Sequence, residues 1–169
     1  LGEGIGLEVR YALQYDPLVA GLITEMKYGD KPGLADWFAP VLRLAVAGVV
    51  GEAFTVVPVP MHASKRRERG YNQSELLGAA LAGAMGLTCR ADVLVKLRKT
   101  PSQAALGEAE RLGNVAGSIG FNPKASLRSS KILLIDDVVT TGATLRECAH
   151  IIRGQGVQEI LACAIASSS

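Results

Sequence analysis

Residues 8–15 alternate with period two, placing Val9, Tyr11, Leu13 and Tyr15 on one face of a half-buried strand. Asp16 followed by Pro17 suits a helix start, because Asp can accept from the first free N–H groups and Pro fits the first helical position. Leu18, Leu22, Ile23 and Met26 give that helix an inner stripe, and Gly29 stops it. A second helix is predicted over 34–47, with Pro40 kinking or splitting it. The apolar run 54–60 ends in prolines and reads as a buried strand with a sharp exit. A basic loop is expected over 61–70. It leads into a helix over 72–85 with Leu76, Leu77, Ala80, Leu81 and Met85 inside and Gly86 at its end.

Residues 93–97 can form a further strand. The stretch 98–117 is polar and Ala-rich, with one helical turn near 108–112, and a connection of that length is commonly functional or disordered. Lys131-Ile-Leu-Leu-Ile135 is a second buried strand, followed by a polar turn and a helix over 145–153 that Gly154 and Gly156 end. Residues 157–166 make a third apolar strand. Strand and helix alternate after residue 53, which predicts an α/β fold with a parallel sheet and right-handed crossovers.

Composition narrows the class. The 169 residues are 49% hydrophobic and only 5% aromatic, with 19 glycines, which suits one α/β domain of small helices and buried strands. The net charge of +2 does not by itself announce a nucleic-acid binder, but every residue from Lys65 to Arg69 is charged. The three cysteines, Cys89, Cys148 and Cys163, are scattered, so neither a zinc site nor a disulfide framework is expected and a reducing cytoplasm is the natural setting. The longest apolar run, 44–50, is far too short to span a bilayer, so no membrane insertion is expected.

The chemistry concentrates at 132–144. A dry strand delivers Asp136 and Asp137, whose carboxylates can accept hydrogen bonds from vicinal hydroxyls. Thr140, Thr141, Gly142, Ala143 and Thr144 follow and lead into a helix. Hydroxyls, successive N–H groups and the positive end of a helix make an anion site there. Acid pair, hydroxyl-rich turn and helix start together fit a ribose at one end and a phosphate at the other. Plainer readings exist for the parts: Asp136-Asp137 as a polar turn, and Thr144 with Glu147 as a capping box. No GxxxxGK or GxGxxG is present, which argues against an NTPase or a dinucleotide enzyme. Upstream, Lys65, Arg66, Arg67 and Arg69 can grip phosphate oxygens, or form an ordinary solvated loop. The same cluster could meet a nucleic-acid backbone, although only Tyr71 is near enough in sequence to offer stacking. His62 and His150 read more simply as structural or solvated than as catalytic.

The string Ile132-Leu-Leu-Ile-Asp-Asp-Val-Val-Thr-Thr-Gly-Ala-Thr144 resembles the phosphoribosyl pyrophosphate (PRPP) fingerprint of type I phosphoribosyltransferases. Val57-Pro-Val-Pro60, Arg67-Glu-Arg-Gly-Tyr-Asn-Gln73, Lys99-Thr-Pro-Ser-Gln103 and Glu110-Arg-Leu-Gly-Asn114 are similar to the ComF (competence protein F-like) group of that family. Tyr15 and Lys27-Tyr-Gly-Asp30 fit the group's N-terminal part. The resemblance covers nearly the whole chain.

It implies a type I phosphoribosyltransferase-like parallel sheet flanked by helices, with a smaller N-terminal hood region over 1–53 and the core over 54–169. Residues Asp136, Asp137, Val138, Val139, Thr140, Thr141, Gly142, Ala143 and Thr144 would bind PRPP, with Asp136 and Asp137 on the ribose hydroxyls as the catalytic pair. Lys65, Arg66, Arg67, Arg69, Arg98 and Lys99 would belong to the pyrophosphate and flexible loops, residues 98–110 closing over the site. Mg²⁺ is the expected cofactor, held mainly by ligand oxygens and water and needing no dedicated set of protein ligands. The expected reaction is Mg-dependent phosphoribosyl transfer to an unknown acceptor. The group's association with DNA uptake in natural transformation adds single-stranded DNA or competence machinery as expected partners. A non-catalytic PRPP or nucleotide module that contacts single-stranded DNA is the alternative. Many members of the group begin with a cysteine-rich zinc-binding segment, and these 169 residues contain none.

Overall fold

In a computed structural model, residues 6–99 and 115–168 are described. Five strands form one parallel sheet in the order β1-β7-β6-β2-β3. These are β1 (Glu8–Gln14), β2 (Phe54–Pro58), β3 (Thr88–Cys89), β6 (Lys131–Val139) and β7 (Glu159–Ser167). A separate antiparallel pair joins β4 (Leu94–Lys96) to β5 (Ile119–Phe121). The helices are α1 (Pro17–Tyr28), α2 (Leu34–Val46), α3 (Ala63–Arg69), α4 (Gln73–Met85) and α5 (Ala143–Arg153).

Both faces of the sheet are covered, as parallel sheets require. Along β6 the side chains alternate between two cores. Leu133 and Ile135 enter the one formed with α1, α2 and α4, around Met26, Phe38, Leu42, Leu77 and Leu81. Ile132 and Leu134 enter the other, against Leu145, Cys148, Ala149 and Ile152 of α5. This period of two explains why 131–135 reads as an unbroken apolar run. Fully burying such side chains contributes roughly 1.5–3 kcal/mol each, so the central strands anchor the fold. On β7 the face toward α5 carries Ile160, Ala162 and Ala164, and the small volume of the two alanines leaves room for that helix.

Residues 6–53 supply the edge strand β1 and the helices α1 and α2 to this same layered arrangement. Asp16 caps α1 by accepting from Val19 N at 2.8 Å, as its sequence suggested. α2 runs unbroken through Pro40 rather than splitting there. On β1 the expected inner face is only partly realised. Tyr11 and Tyr15 remain about half exposed, at 50% and 46%, while Ala12 and Leu13 pack on the core.

Three boundaries differ in ways that matter. The basic stretch expected as a loop contains α3, opened by His62 and closed by left-handed Gly70 at φ 88°. β6 runs on to Val139, so Asp136 and Asp137 lie within the strand rather than in a turn beyond it. α5 starts at Ala143, directly after left-handed Gly142. That start places Thr144 inside the helix rather than at its N-cap. Glu147 Oε1 accepts from Gly117 N at 2.7 Å. The short strands β3 and β5 carry too few residues to show a period in sequence.

The chain leaves β2 toward β3 on one side of the sheet and leaves β6 toward β7 on the other. The connections therefore diverge at the β2–β6 boundary, where open α/β sheets form a crevice beyond the carboxyl ends of their strands. β2 pairs with β6 only as far as Pro58 opposite Ile135, whereas β6 continues beside β7 to Val139 opposite Ser167. The last four residues of β6 thus border the crevice on the side that β2 has left.

Candidate functional site

Beyond these strand ends lies a cleft of about 840 Å³. Its floor is Asp136 and Asp137. Thr140, Gly142, Ala143 and Thr144 line the end nearest α5, and Lys27, Lys65, Arg69, Lys96 and Lys99 bring positive charge to its walls.

The two acids are held differently. Asp136 Oδ1 accepts from Ser74 Oγ on α4 at 2.9 Å and from the N–H of Asp137 at 2.9 Å. Loss of surrounding water, then the neighbouring Asp137 charge, push the Asp136 carboxyl up to about 7. Asp137 Oδ1 accepts from Val138 N at 2.7 Å, and its Oδ2 pairs with Lys27 Nζ at 2.7 Å. Burial works against the Lys27 ammonium, but the Asp137 carboxylate more than offsets it. The net shift is upward, so Lys27 stays charged.

The turn after β6 has a geometry that can receive an anion. Gly142 adopts φ 70°, a region that favours glycine. The Arg146 guanidinium donates to the Thr141 carbonyl, and Thr141 Oγ1 accepts from Ala143 N at 3.4 Å. The turn passes straight into α5, whose first N–H groups carry about half a positive charge. Thr140 and Thr144, with hydroxyls of their own, line the cleft beside it.

A second helix start approaches from the opposite wall. Asn72 caps α4 and donates from Nδ2 to the Val59 carbonyl at 2.9 Å, fixing the helix to the exit of β2. Gln73, next along, is 2% exposed and lines the cleft, and its Nε2 has no hydrogen-bond partner among the described residues. Tyr71 ties this segment to α1 by donating to the Met26 carbonyl at 2.5 Å.

The basic residues named from sequence divide. Lys65, Arg69 and Lys99 line the cleft. Arg66 is turned toward Glu75 at 2.6 Å, Arg98 donates to the Ala116 carbonyl at 2.6 Å, and neither they nor Arg67 line it. Of residues 136–144, all but Thr141 line the cleft. The expected mobile flap lies largely in 100–114, outside the described residues. His62 lines the cleft while its Nδ1 is engaged with Ser64. Burial pushes the Cys148 thiol far up and Cys163 up to about 12, so both are inert core groups at neutral pH.

Sequence reasoning did not single out Lys27, Ser74, Gln73 or Lys96 as site residues. Lys27 and Gln73 fall inside stretches matched to the ComF group, and that was their only signal. Lys96 donates to Ser118 Oγ at 2.9 Å, and burial lowers its ammonium below the usual range. Tyr15 and Tyr28 also border the cleft, so the N-terminal segment does bring aromatic rings there, and Arg69 stands 4.7 Å from the Tyr28 ring centre.

Among the described residues no helix is long and apolar enough to cross a membrane. The family model for the phosphoribosyl transferase domain matches residues 72–168. Competence protein F of Haemophilus influenzae is 30% identical over 106 residues, covering 62% of this chain and 46% of its own length. The DNA utilization protein YhgH of Salmonella typhi is 30% identical over 153 residues, covering 86% and 66%. Competence protein ComFC of Streptococcus pneumoniae is 29% identical over 159 residues, covering 94% and 67%. The chain thus spans about half to two thirds of the curated relatives it matches. Among solved structures, adenine phosphoribosyltransferase from Thermoanaerobacter pseudethanolicus is similar over 83% of each chain, with 16% identity and a TM-score of 0.48. With the family model covering the α4–β7 half of the molecule, and with relatives named for competence and DNA utilization, the chain belongs to the phosphoribosyl transferase domain family as a ComF-like type I member.

Proposed function

We propose that this chain binds PRPP with Mg²⁺ and transfers its phosphoribosyl group to an acceptor, releasing pyrophosphate, in a role linked to DNA uptake. The observation that carries this reading is the continuous run from the acid pair at the end of β6 to the left-handed Gly142 and the start of α5, all facing one cleft. Asp136 and Asp137 accept from the ribose hydroxyls. The turn at 140–144 and the N–H groups of α5 bind the 5′-phosphate. Lys65, Arg69 and Lys99 meet pyrophosphate, and residues 6–53 serve as the hood.

The donor set suits Mg²⁺. Two carboxylates and several hydroxyls supply hard oxygen atoms, and no group of three His, Cys, Asp or Glu among the described residues forms a cage. A cation held chiefly by ligand oxygens and water fits such a surface. When bound, Mg²⁺ would offset the charge of the leaving pyrophosphate. The protein's own part is to orient the ribose and to place carboxylate charge beside a sugar carbon that turns cationic as its bond to pyrophosphate breaks.

Titration with PRPP by calorimetry, with and without Mg²⁺, tests this directly. Saturable, Mg-dependent binding is expected, and its loss in a folded Asp136→Asn/Asp137→Asn double variant. A folded wild type that takes up no heat from PRPP would remove the proposal.

A second reading is favoured by Tyr15 and Tyr28 at the cleft mouth, with Arg69 beside the Tyr28 ring. Exposed aromatic rings near cations suit stacked bases of single-stranded DNA. In that case the site senses PRPP or a nucleotide without turnover. Acceptor-dependent pyrophosphate release separates the two readings.

A further inference from the structure

The last turn of α1 makes contacts through three successive residues, of which Lys27 and Tyr28 line the cleft. Met26 offers its carbonyl to Tyr71, Lys27 pairs with Asp137, and the Tyr28 ring lies against Arg69. Of these, the Lys27–Asp137 pair reaches the acid floor itself. The two side chains are 25% and 15% exposed, and 110 residues of sequence separate them. A half-buried ion pair is a weak source of net stability, because desolvation cancels much of the attraction. Its geometry is informative instead. Lys27 takes one site on Oδ2 and the Val138 N–H takes one on Oδ1. A carboxylate offers about four acceptor sites, so roughly two remain for a ligand. Lys27 and Val138 together leave the carboxylate little freedom to rotate.

We propose that Lys27 is a positioning residue of the phosphoribose site: it fixes the Asp137 carboxylate so that its remaining acceptor sites face the ribose hydroxyls. The inference rests on the PRPP reading above and deepens it. It makes the end of α1 a functional part of the floor, beyond its service as a cover.

The test is PRPP titration in the presence of Mg²⁺ for wild type, Lys27→Met, Lys27→Arg and Tyr71→Phe, with folding checked by circular dichroism. Loss of one charge-assisted contact that orients Asp137 is expected to weaken PRPP binding of Lys27→Met by about tenfold or more. Lys27→Arg restores most of the affinity, because it again presents a cation to Oδ2. Tyr71→Phe cuts the neighbouring tie between α1 and the cleft while leaving Lys27 in place, so it weakens binding less than Lys27→Met. Should Lys27→Met not fold, Lys27→Gln, which keeps a donor but no charge, is expected to lose about threefold or more. Wild-type affinity in the folded Met or Gln variant overturns the proposal, as does a Tyr71→Phe loss equal to that of Lys27→Met, which would assign the effect to docking of α1. Absence of PRPP binding by the wild type removes the proposed function and this inference with it.

Discussion

Ser74 at the start of α4 donates to Asp136 at the end of β6, 2.9 Å away across 62 residues of sequence. The bond holds in place a carboxyl that its surroundings disfavour as an anion. Desolvation first, and the Asp137 charge second, bring its folded-state value to about 7 from an ordinary 3.8. Between these two values the folded chain keeps a proton that the unfolded chain has released. Stability of the ligand-free protein therefore falls as pH rises from about 4 to about 7 and stays reduced above. Asp136→Asn keeps an acceptor for Ser74 and removes the titration. Melting temperatures of wild type and variant at pH 5 and pH 8 should show the variant gaining relative to wild type at the higher pH. Parallel pH dependence in the two proteins would refute the assignment.

Gln73 carries the opposite kind of cost, a buried donor with no acceptor among the described residues. Such a group costs about 1–3 kcal/mol, while an apolar side chain of similar shape avoids it. Gln73→Met is therefore expected to stabilise the ligand-free protein by about 1 kcal/mol in urea denaturation, and to weaken PRPP binding. A variant less stable than wild type would show that the amide is satisfied in solution.

Gly142 is constrained twice. Its φ is 70°, and a Cβ there would stand 3.2 Å from Nη1 of Arg146. Gly142→Ala should lose about 1–2 kcal/mol of stability for the left-handed backbone. It should also weaken PRPP binding, because the turn that presents its N–H groups shifts. Equal stability and affinity in the alanine variant would show that the turn relaxes freely.

The basic cluster offers a ranking. Arg69 lines the cleft beside Tyr28, while Arg67 does not line it. Inhibition of PRPP binding by pyrophosphate should weaken more in Arg69→Ala than in Arg67→Ala. The reverse order would mean that α3 turns on ligand binding.

Much of this architecture can be read from the sequence where burial imposes a period. Residues 131–135 and 157–166 sit between two cores, and their uninterrupted apolar character reports that directly. The turn after β6 is legible because its left-handed position favours glycine and its hydroxyls stand at fixed spacing. The limits of β6 are less so. Asp136 and Asp137 look like a turn, yet pairing with β7 keeps them extended. α3 was hidden because Lys65, Arg66, Arg67, Glu68 and Arg69 carry no apolar stripe and the helix buries no residue. Lys27 and Gln73 were hidden for another reason. A lysine at a helix end and a glutamine after an N-cap have ordinary local explanations, and only the three-dimensional placement gives them a cleft to face.

The sheet's edge pairing also sets the order in which the molecule can be made. β1, at residues 8–14, finds its neighbour in β7, which ends at residue 167. A chain synthesised from its amino end must carry β1 unpaired until β7 has emerged. Contacts so distant in sequence slow folding, since the intervening loop must close before they form. The acid floor is completed in the same late event, because α1 follows β1 directly and brings Lys27 with it. The cleft floor is therefore completed only once β7 has been made, and loss of either β1 or β7 would strip the sheet of the same outer seam.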